Sequence, residues 1–174
     1  TAMTLHPIAV NPADAKNFIA IEQPTPQPGE FDLLVEVRAA SVNPVDTKVH
    51  KGAVKNGLSE PRILGWDASG VVLAVGTQVS NFKVGDQVYY AGDITRPGSN
   101  SSQHLVDARI VGHKPTSLDW AAAAAWPLTA LTAWEGLFER LNLAAAGENQ
   151  TLLIVGGAGG VGSLAIPLAK LHSK

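Results

Sequence analysis

The stretch from Thr151 to Gly162 constrains the chain most. Thr151–Val155 (Thr-Leu-Leu-Ile-Val) is apolar without alternation and runs straight into Gly156-Gly157-Ala158-Gly159-Gly160-Val161-Gly162. Such an apolar run reads as a strand covered on both faces in a parallel sheet. Gly157, Gly159 and Gly162 satisfy G-x-G-x-x-G, and a helical pattern follows from Val161 to about Leu171. In that context the first glycine permits a tight turn, the second lets backbone approach a pyrophosphate, and the third lets helix pack on strand. Backbone N–H groups at the helix start then face the diphosphate, helped by the positive end of the helix dipole. The cofactor-side residues on this reading are Gly157, Ala158, Gly159, Gly160, Val161 and Gly162. A plain glycine-rich turn is the bland alternative, and a Walker P-loop is excluded because no Gly-Lys-Ser/Thr follows. Pro167 falls inside the helical pattern, where a missing donor predicts a kink. The residue that reads the adenosine ribose belongs about 20 positions further on, beyond Lys174. The chain is therefore expected to be an N-terminal fragment, with the choice between NADPH and NADH made outside it.

Composition narrows the partners. Lysine and arginine total 13 against 15 acidic residues, a net charge of −2, so no basic surface for nucleic acid or an anionic membrane is expected. Absence of cysteine removes disulfides, a thiolate nucleophile, iron–sulfur clusters and Cys-type zinc sites, and it suits a reducing, cytoplasmic setting. The longest apolar run, Trp120 to Leu131, is broken by Pro127 and is too short for a membrane span. The polar first residues carry no signal-peptide pattern.

The first half reads as β. Leu33–Val37, Val71–Val75, Gln87–Ala91 and Arg109–Gly112 are short β-branched or aromatic runs bounded by turn formers, which suggests an antiparallel barrel or sandwich. From Ser117 the pattern turns helical, with Thr116 or Ser117 as N-cap and Asp119 in the first turn. Pro127 breaks that helix. A second begins near Thr129, carries Leu131, Trp134, Leu137, Phe138 and Leu141 as an apolar stripe, and stops in Asn142–Gly147.

A family resemblance follows from several segments in order. Leu33 to Ala40 followed by Ser41-Val42-Asn43-Pro44-Val45-Asp46-Thr47 resembles the first catalytic-domain segment of medium-chain dehydrogenases/reductases, in their zinc-free quinone oxidoreductase (zeta-crystallin-like) branch. Leu64 to Val72, Val84 to Val88, Ala123 to Trp134 and Gly156 to Gly162 extend the likeness over about Glu22 to Leu171. The resemblance implies a mixed α/β fold: a GroES-like antiparallel β-barrel catalytic domain over residues 1–116, then a helical bridge and the first β-α unit of a Rossmann cofactor domain over 117–174. It also implies hydride transfer from NADPH or NADH to a small quinone, enone or similar carbonyl acceptor, with no metal, nucleic-acid or membrane partner and with a homo-oligomeric parent.

Zinc alcohol dehydrogenases that look like this chain carry Cys at the position of Asn43 and a His-Glu pair at Trp66 and Asp67. Asn and Trp are poor zinc ligands, and His6, His50, His104, His113 and His172 show no clustered spacing. Without a Lewis acid, hydrogen-bond donors must handle the acceptor's carbonyl, which favours electron-poor acceptors. Asn43 is the first candidate, its amide either polarising substrate or holding the nicotinamide side; the alternative is an Asn-Pro turn. Asp46 and Thr47 support the same segment, although Asp46 equally suits a helix cap. Thr129 resembles the family's cofactor-side threonine, or a simple N-cap. Trp66 either walls the pocket or packs in the core, and alternation lets only one of Tyr89 and Tyr90 face inward. A zinc-type alcohol dehydrogenase and a non-catalytic dinucleotide-binding protein are the competing readings.

Overall fold

A computed structural model describes residues 4–5, 7–143 and 151–172. The chain divides into two compact units, Thr1–Ala125 and Trp126–Lys174.

In the first unit the elements are β1 (Thr4–Leu5), β2 (Ile8–Val10), β3 (Phe18–Ala20), β4 (Gln23–Pro24), β5 (Asp32–Ser41), α1 (Pro44–Asn56), β6 (Arg62–Ile63), β7 (Asp67–Val75), β8 (Gln87–Ala91), β9 (Gln103–Asp107), β10 (Val111–His113) and α2 (Trp120–Ala124). The strands form three antiparallel sheets: β1-β4, β3-β2-β6, and a five-stranded sheet in the order β10-β8-β7-β5-β9. No closed barrel is formed among the described residues; the architecture is mixed α/β with open antiparallel sheets. Leu33, Val35, Ala68, Val72, Val88, Tyr90 and Val106 meet in the core of the large sheet, and α2 packs on β5 and β7. The Ser69 hydroxyl donates to the Trp120 carbonyl at 2.6 Å and ties α2 to β7.

Local chemistry moves several predicted boundaries. Arg109–Gly112 is not one strand: Ala108–Ile110 makes a 3-10 turn because the Asp107 carboxylate accepts the Arg109 backbone N–H, and only Val111–His113 is extended. Asp119, rather than Thr116 or Ser117, caps α2, its Oδ1 accepting the Ala122 N–H at 2.7 Å. The residues before it form a turn closed by Leu118 N–H on the Pro115 carbonyl.

The second unit holds α3 (Pro127–Trp134), a π-helical continuation over Glu135–Arg140, and α4 (Gly160–His172). Pro127 starts α3 two residues ahead of the predicted Thr129, at the first helical position, where its missing N–H costs nothing. The predicted stripe is only partly the buried face. Ala133 and Leu137 are buried, whereas Leu131, Trp134 and Leu141 stay about half exposed. Asn142 ends the segment at φ 51°, and residues 144–147 of the predicted stop lie outside the described residues. α4 continues through Pro167 without interruption.

Thr151–Val155 is not a strand. A parallel strand draws its hydrogen bonds from neighbours, and none of the three sheets includes this segment. Only one of its faces is covered: Leu152 and Ile154 pack with Ala133, Leu137 and Ala165, while Leu153 and Val155 are 83% and 89% exposed. Among the described residues no helix is long and apolar enough to cross a membrane.

Candidate functional site

The Ser41–Asp46 segment is built by strand register and proline chemistry. β5 pairs with β7 so that Ser41 stands opposite Asp67, after register shifts at Leu34/Val35 and Val37/Ala39. Pro44 then forces Asn43 into extended backbone, φ −122° and ψ 162°, and itself opens α1 at the first helical position. Asn43 thereby becomes the N-cap. The Asp46 Oδ2, one turn in, accepts the Asn43 backbone N–H at 2.7 Å, while the Asp46 N–H reaches the Asn43 carbonyl at 3.0 Å. Asp46 therefore does cap the helix.

Around Asn43 the structure gathers polar groups that a spacing rule does not connect. Its Nδ2 donates to Asp67 Oδ2 at 2.8 Å, and the Ser41 hydroxyl donates to the same oxygen at 3.2 Å. Asn43, Asp46 and Asp67 are all buried, Asp67 completely. Thr47 is placed differently: it is exposed, and its hydroxyl donates to the Pro44 carbonyl at 2.9 Å. Ser41 and Asp67 were not singled out from sequence as partners of Asn43. No sequence signal pairs them: Asp67 reaches Asn43 only across the β5–β7 ladder, 24 residues away.

Trp66 is buried, with its indole Nε1 lacking a hydrogen-bond partner, so it is an interior residue. Tyr90 is the inward member of its pair. Its hydroxyl donates to His104 Nδ1 at 3.0 Å and the two rings stack at 5.5 Å, while Tyr89 covers Gly112 on the neighbouring strand. Burial pushes the His104 imidazole down to about 4 and holds the Tyr90 phenol above its usual range.

The donor set at Asn43 does not fit zinc. Asn43 turns an N–H, not a lone pair, toward Asp67, and among the described residues no three His, Cys, Asp or Glu side chains lie together. His50 and His104 meet backbone carbonyls and His113 packs its ring against Phe82; His6 lies outside the described residues.

In the second unit the glycine turn meets α3. Gly156 sits at φ 71°, and a Cβ on Gly162 would fall 2.5 Å from the Gly156 carbonyl oxygen and 2.6 Å from Gly157 Cα, so this approach requires glycine. Gly162 is buried, whereas Ala158, Gly159, Gly160 and Val161 are exposed. The Ser163 N–H makes a helical bond to the Gly159 carbonyl, and the N–H groups of Gly160, Val161 and Gly162 precede it in the first turn. Thr129 lies beside this turn: its Cγ2 would be 3.3 Å from a Cβ on Gly160. Its hydroxyl donates to the Trp126 carbonyl at 3.1 Å, and Trp126, not Thr129, is the N-cap of α3. An exposed backbone turn of small residues with first-turn N–H groups fits a diphosphate.

Residues 27–130 match the alcohol dehydrogenase GroES-like domain. The chain belongs to that family. It is 43% identical over 158 residues to a zinc-type alcohol dehydrogenase-like protein of Staphylococcus aureus, covering 89% of this chain and 46% of that one. It is 42% identical over 150 residues to a 2-methylene-furan-3-one reductase of Solanum lycopersicum, covering 81% and 37%. The quinone oxidoreductase structure from Coxiella burnetii superposes with a TM-score of 0.81 at 31% identity, covering 98% of this chain and 54% of that one. The chain thus spans about half the length of the relatives it matches, and it fits the medium-chain dehydrogenase/reductase superfamily that the motifs resemble.

Proposed function

We propose that this GroES-like chain belongs to an oxidoreductase that transfers hydride from NADPH or NADH to a quinone, enone or similar carbonyl acceptor without zinc. The observation that carries the reading is the Gly156–Gly162 turn at the start of α4, exposed over Ala158–Val161 and with Thr129 against it, a cradle suited to a dinucleotide diphosphate. When bound, the nicotinamide supplies the hydride. Gly160, Val161 and Gly162 offer backbone N–H groups to the diphosphate, and Thr129 lines the same turn. Asn43, held by Asp46 and Asp67, offers an amide donor to an acceptor's oxygen or to the nicotinamide carboxamide. Asp46 fixes the backbone of that segment, and Thr47 belongs to the same helix start without reaching Asn43 by any bond of its hydroxyl.

Two relatives support the choice of acceptor: one is a quinone oxidoreductase and one reduces a 2-methylene-furan-3-one, an enone. The zinc-type description of the staphylococcal relative points the other way, and the Asn43 and Asp67 donor set argues against carrying it over. The test is oxidation of NADPH and of NADH by quinones and enones in full-length protein, with and without chelator and with metal analysis. Turnover unaffected by chelation is expected. Stoichiometric zinc with alcohol oxidation would replace this reading by a zinc alcohol dehydrogenase, and cofactor binding without turnover on any acceptor would leave a dinucleotide-binding protein.

A further inference from the structure

We propose that Asp67 is a positioning residue that fixes which way the Asn43 amide points, leaving Asn43 one N–H for a ligand oxygen. An asparagine side chain has two N–H donors and one carbonyl acceptor, and a half-turn about its last bond exchanges them. Asp67 removes that freedom. Its Oδ2, fully buried, accepts the Asn43 Nδ2–H at 2.8 Å, and the reversed amide would set oxygen against oxygen. The Asn43 main chain is held as well: its N–H is bound by Asp46 Oδ2 at 2.7 Å, and its carbonyl accepts the Asp46 N–H at 3.0 Å. Two buried carboxyl groups, 21 residues apart in sequence, therefore clamp one residue from its side chain and from its backbone.

Register places the clamp. Ser41 lies opposite Asp67 at the end of the β5–β7 ladder and donates to the same Oδ2 at 3.2 Å, so these two donors come from one short segment, Ser41–Asn43. Burying a carboxyl is costly unless it is hydrogen-bonded. Two bonds that offset the cost come from the segment that would meet the acceptor. With one Nδ2–H on Asp67, the other Nδ2–H remains as a donor. A ligand group that matches it is an acceptor oxygen, such as the carbonyl of a quinone or enone or the carboxamide oxygen of a nicotinamide.

This inference rests on the proposed hydride transfer only for its kinetic arm. Full-length protein is compared as wild type, Asp67→Ala, Asn43→Ala, the double variant, and the reciprocal swap Asn43→Asp with Asp67→Asn. The Asn43 side-chain amide, assigned by its loss in Asn43→Ala, should give two well-separated proton resonances in nitrogen-resolved spectra, converging in Asp67→Ala. With a quinone or enone acceptor, kcat/KM should fall about tenfold or more in each single variant. The double variant should match Asn43→Ala in kcat/KM. The swap should regain the thermal midpoint without regaining kcat/KM, because a carboxylate in place of the Asn43 amide has no N–H to offer.

Further loss in the double variant, recovery of kcat/KM in the swap, or an unchanged pair of Asn43 resonances in Asp67→Ala would each overturn the inference. If Asp67→Ala does not fold, Asp67→Ser, too short to reach Asn43, takes its place in every comparison. If the wild type turns over no acceptor at all, the proposed function fails while the resonance arm still decides whether Asp67 holds Asn43.

Discussion

The Tyr90 hydroxyl donates to Nδ1 of His104 while the other imidazole nitrogen, Nε2, lies 2.9 Å from the Pro97 carbonyl. A carbonyl only accepts, so Nε2 carries the proton, Nδ1 accepts, and the ring is neutral. Desolvation is the main reason its pKa falls to about 4. An unfolded histidine titrates near 6.5, so the folded value is depressed for a group that is charged when protonated. The neutral-ring contribution is then fully present above about pH 6.5 and is lost as pH falls to about 4, a loss of about 3 kcal/mol over that window. Urea midpoints across pH 7.5 to 4 should fall in wild type, and the fall over this window should shrink in His104→Gln. The lowered carboxylates Asp32 and Asp107, held by Arg96 and Arg109, act mainly below about pH 4 and are present in both proteins, so the comparison cancels them. An equal pH slope in both proteins would contradict the assignment.

A second prediction concerns the start of α1. Asp46→Ala leaves the buried Asn43 N–H without its acceptor at the helix N-terminus. A loss of about 1–2 kcal/mol in unfolding free energy is expected from the missing cap and the unpaired donor. Denaturant titration measures it. Asp46→Asn, which keeps an oxygen at that place, should recover part of the loss.

How far the fold could be read depended on whether the deciding partner was near in sequence. Gln87–Ala91 was legible to the residue because alternation and flanking glycines fix a strand without outside help. Leu33–Val37 was found but cut short, since Arg38-Ala39-Ala40-Ser41 carries no β-branched or aromatic residue and the ladder to Asp67–Gly70 keeps it extended. Thr151–Val155 was misread because the apolar composition of a parallel strand says nothing about whether neighbours are present to pair with it. At the candidate site, Asn43 and Asp46 are three residues apart and their cap was readable. Asp67 is 24 residues from Asn43 across a β ladder, and no spacing rule reaches that far.

Thr129 gives a third prediction. Its hydroxyl has a local acceptor in the Trp126 carbonyl, so Thr129→Val, which keeps the shape, should cost only about 1 kcal/mol of stability or less. Its Cγ2 nevertheless borders Gly160 in the glycine turn. On the cofactor-side reading, dinucleotide affinity drops several-fold more than this small stability change would suggest. Calorimetric titration with NADPH and NADH tests it, and unchanged affinity for both would reduce Thr129 to a helix residue.

The glycines of the turn separate fold from binding. At Gly162 a Cβ would sit 2.5 Å from the Gly156 carbonyl and 2.6 Å from Gly157 Cα, both backbone atoms that cannot swing aside. Gly162→Val should therefore disturb α4 itself, lowering the thermal midpoint and loosening the packing of Ala165 on Ala133 and Leu137. Gly159 is exposed, its added Cβ would meet only the Gly156 carbonyl at 3.2 Å, and a shift of a few tenths of an ångström admits it. Gly159→Val should then stay folded and lose dinucleotide affinity, because its side chain occupies the space where backbone must approach a diphosphate. Circular dichroism with a parallel titration distinguishes the two variants. If Gly159→Val binds both dinucleotides as tightly as wild type, the diphosphate does not lie against this turn, and the role of the glycines ends with the packing of α4.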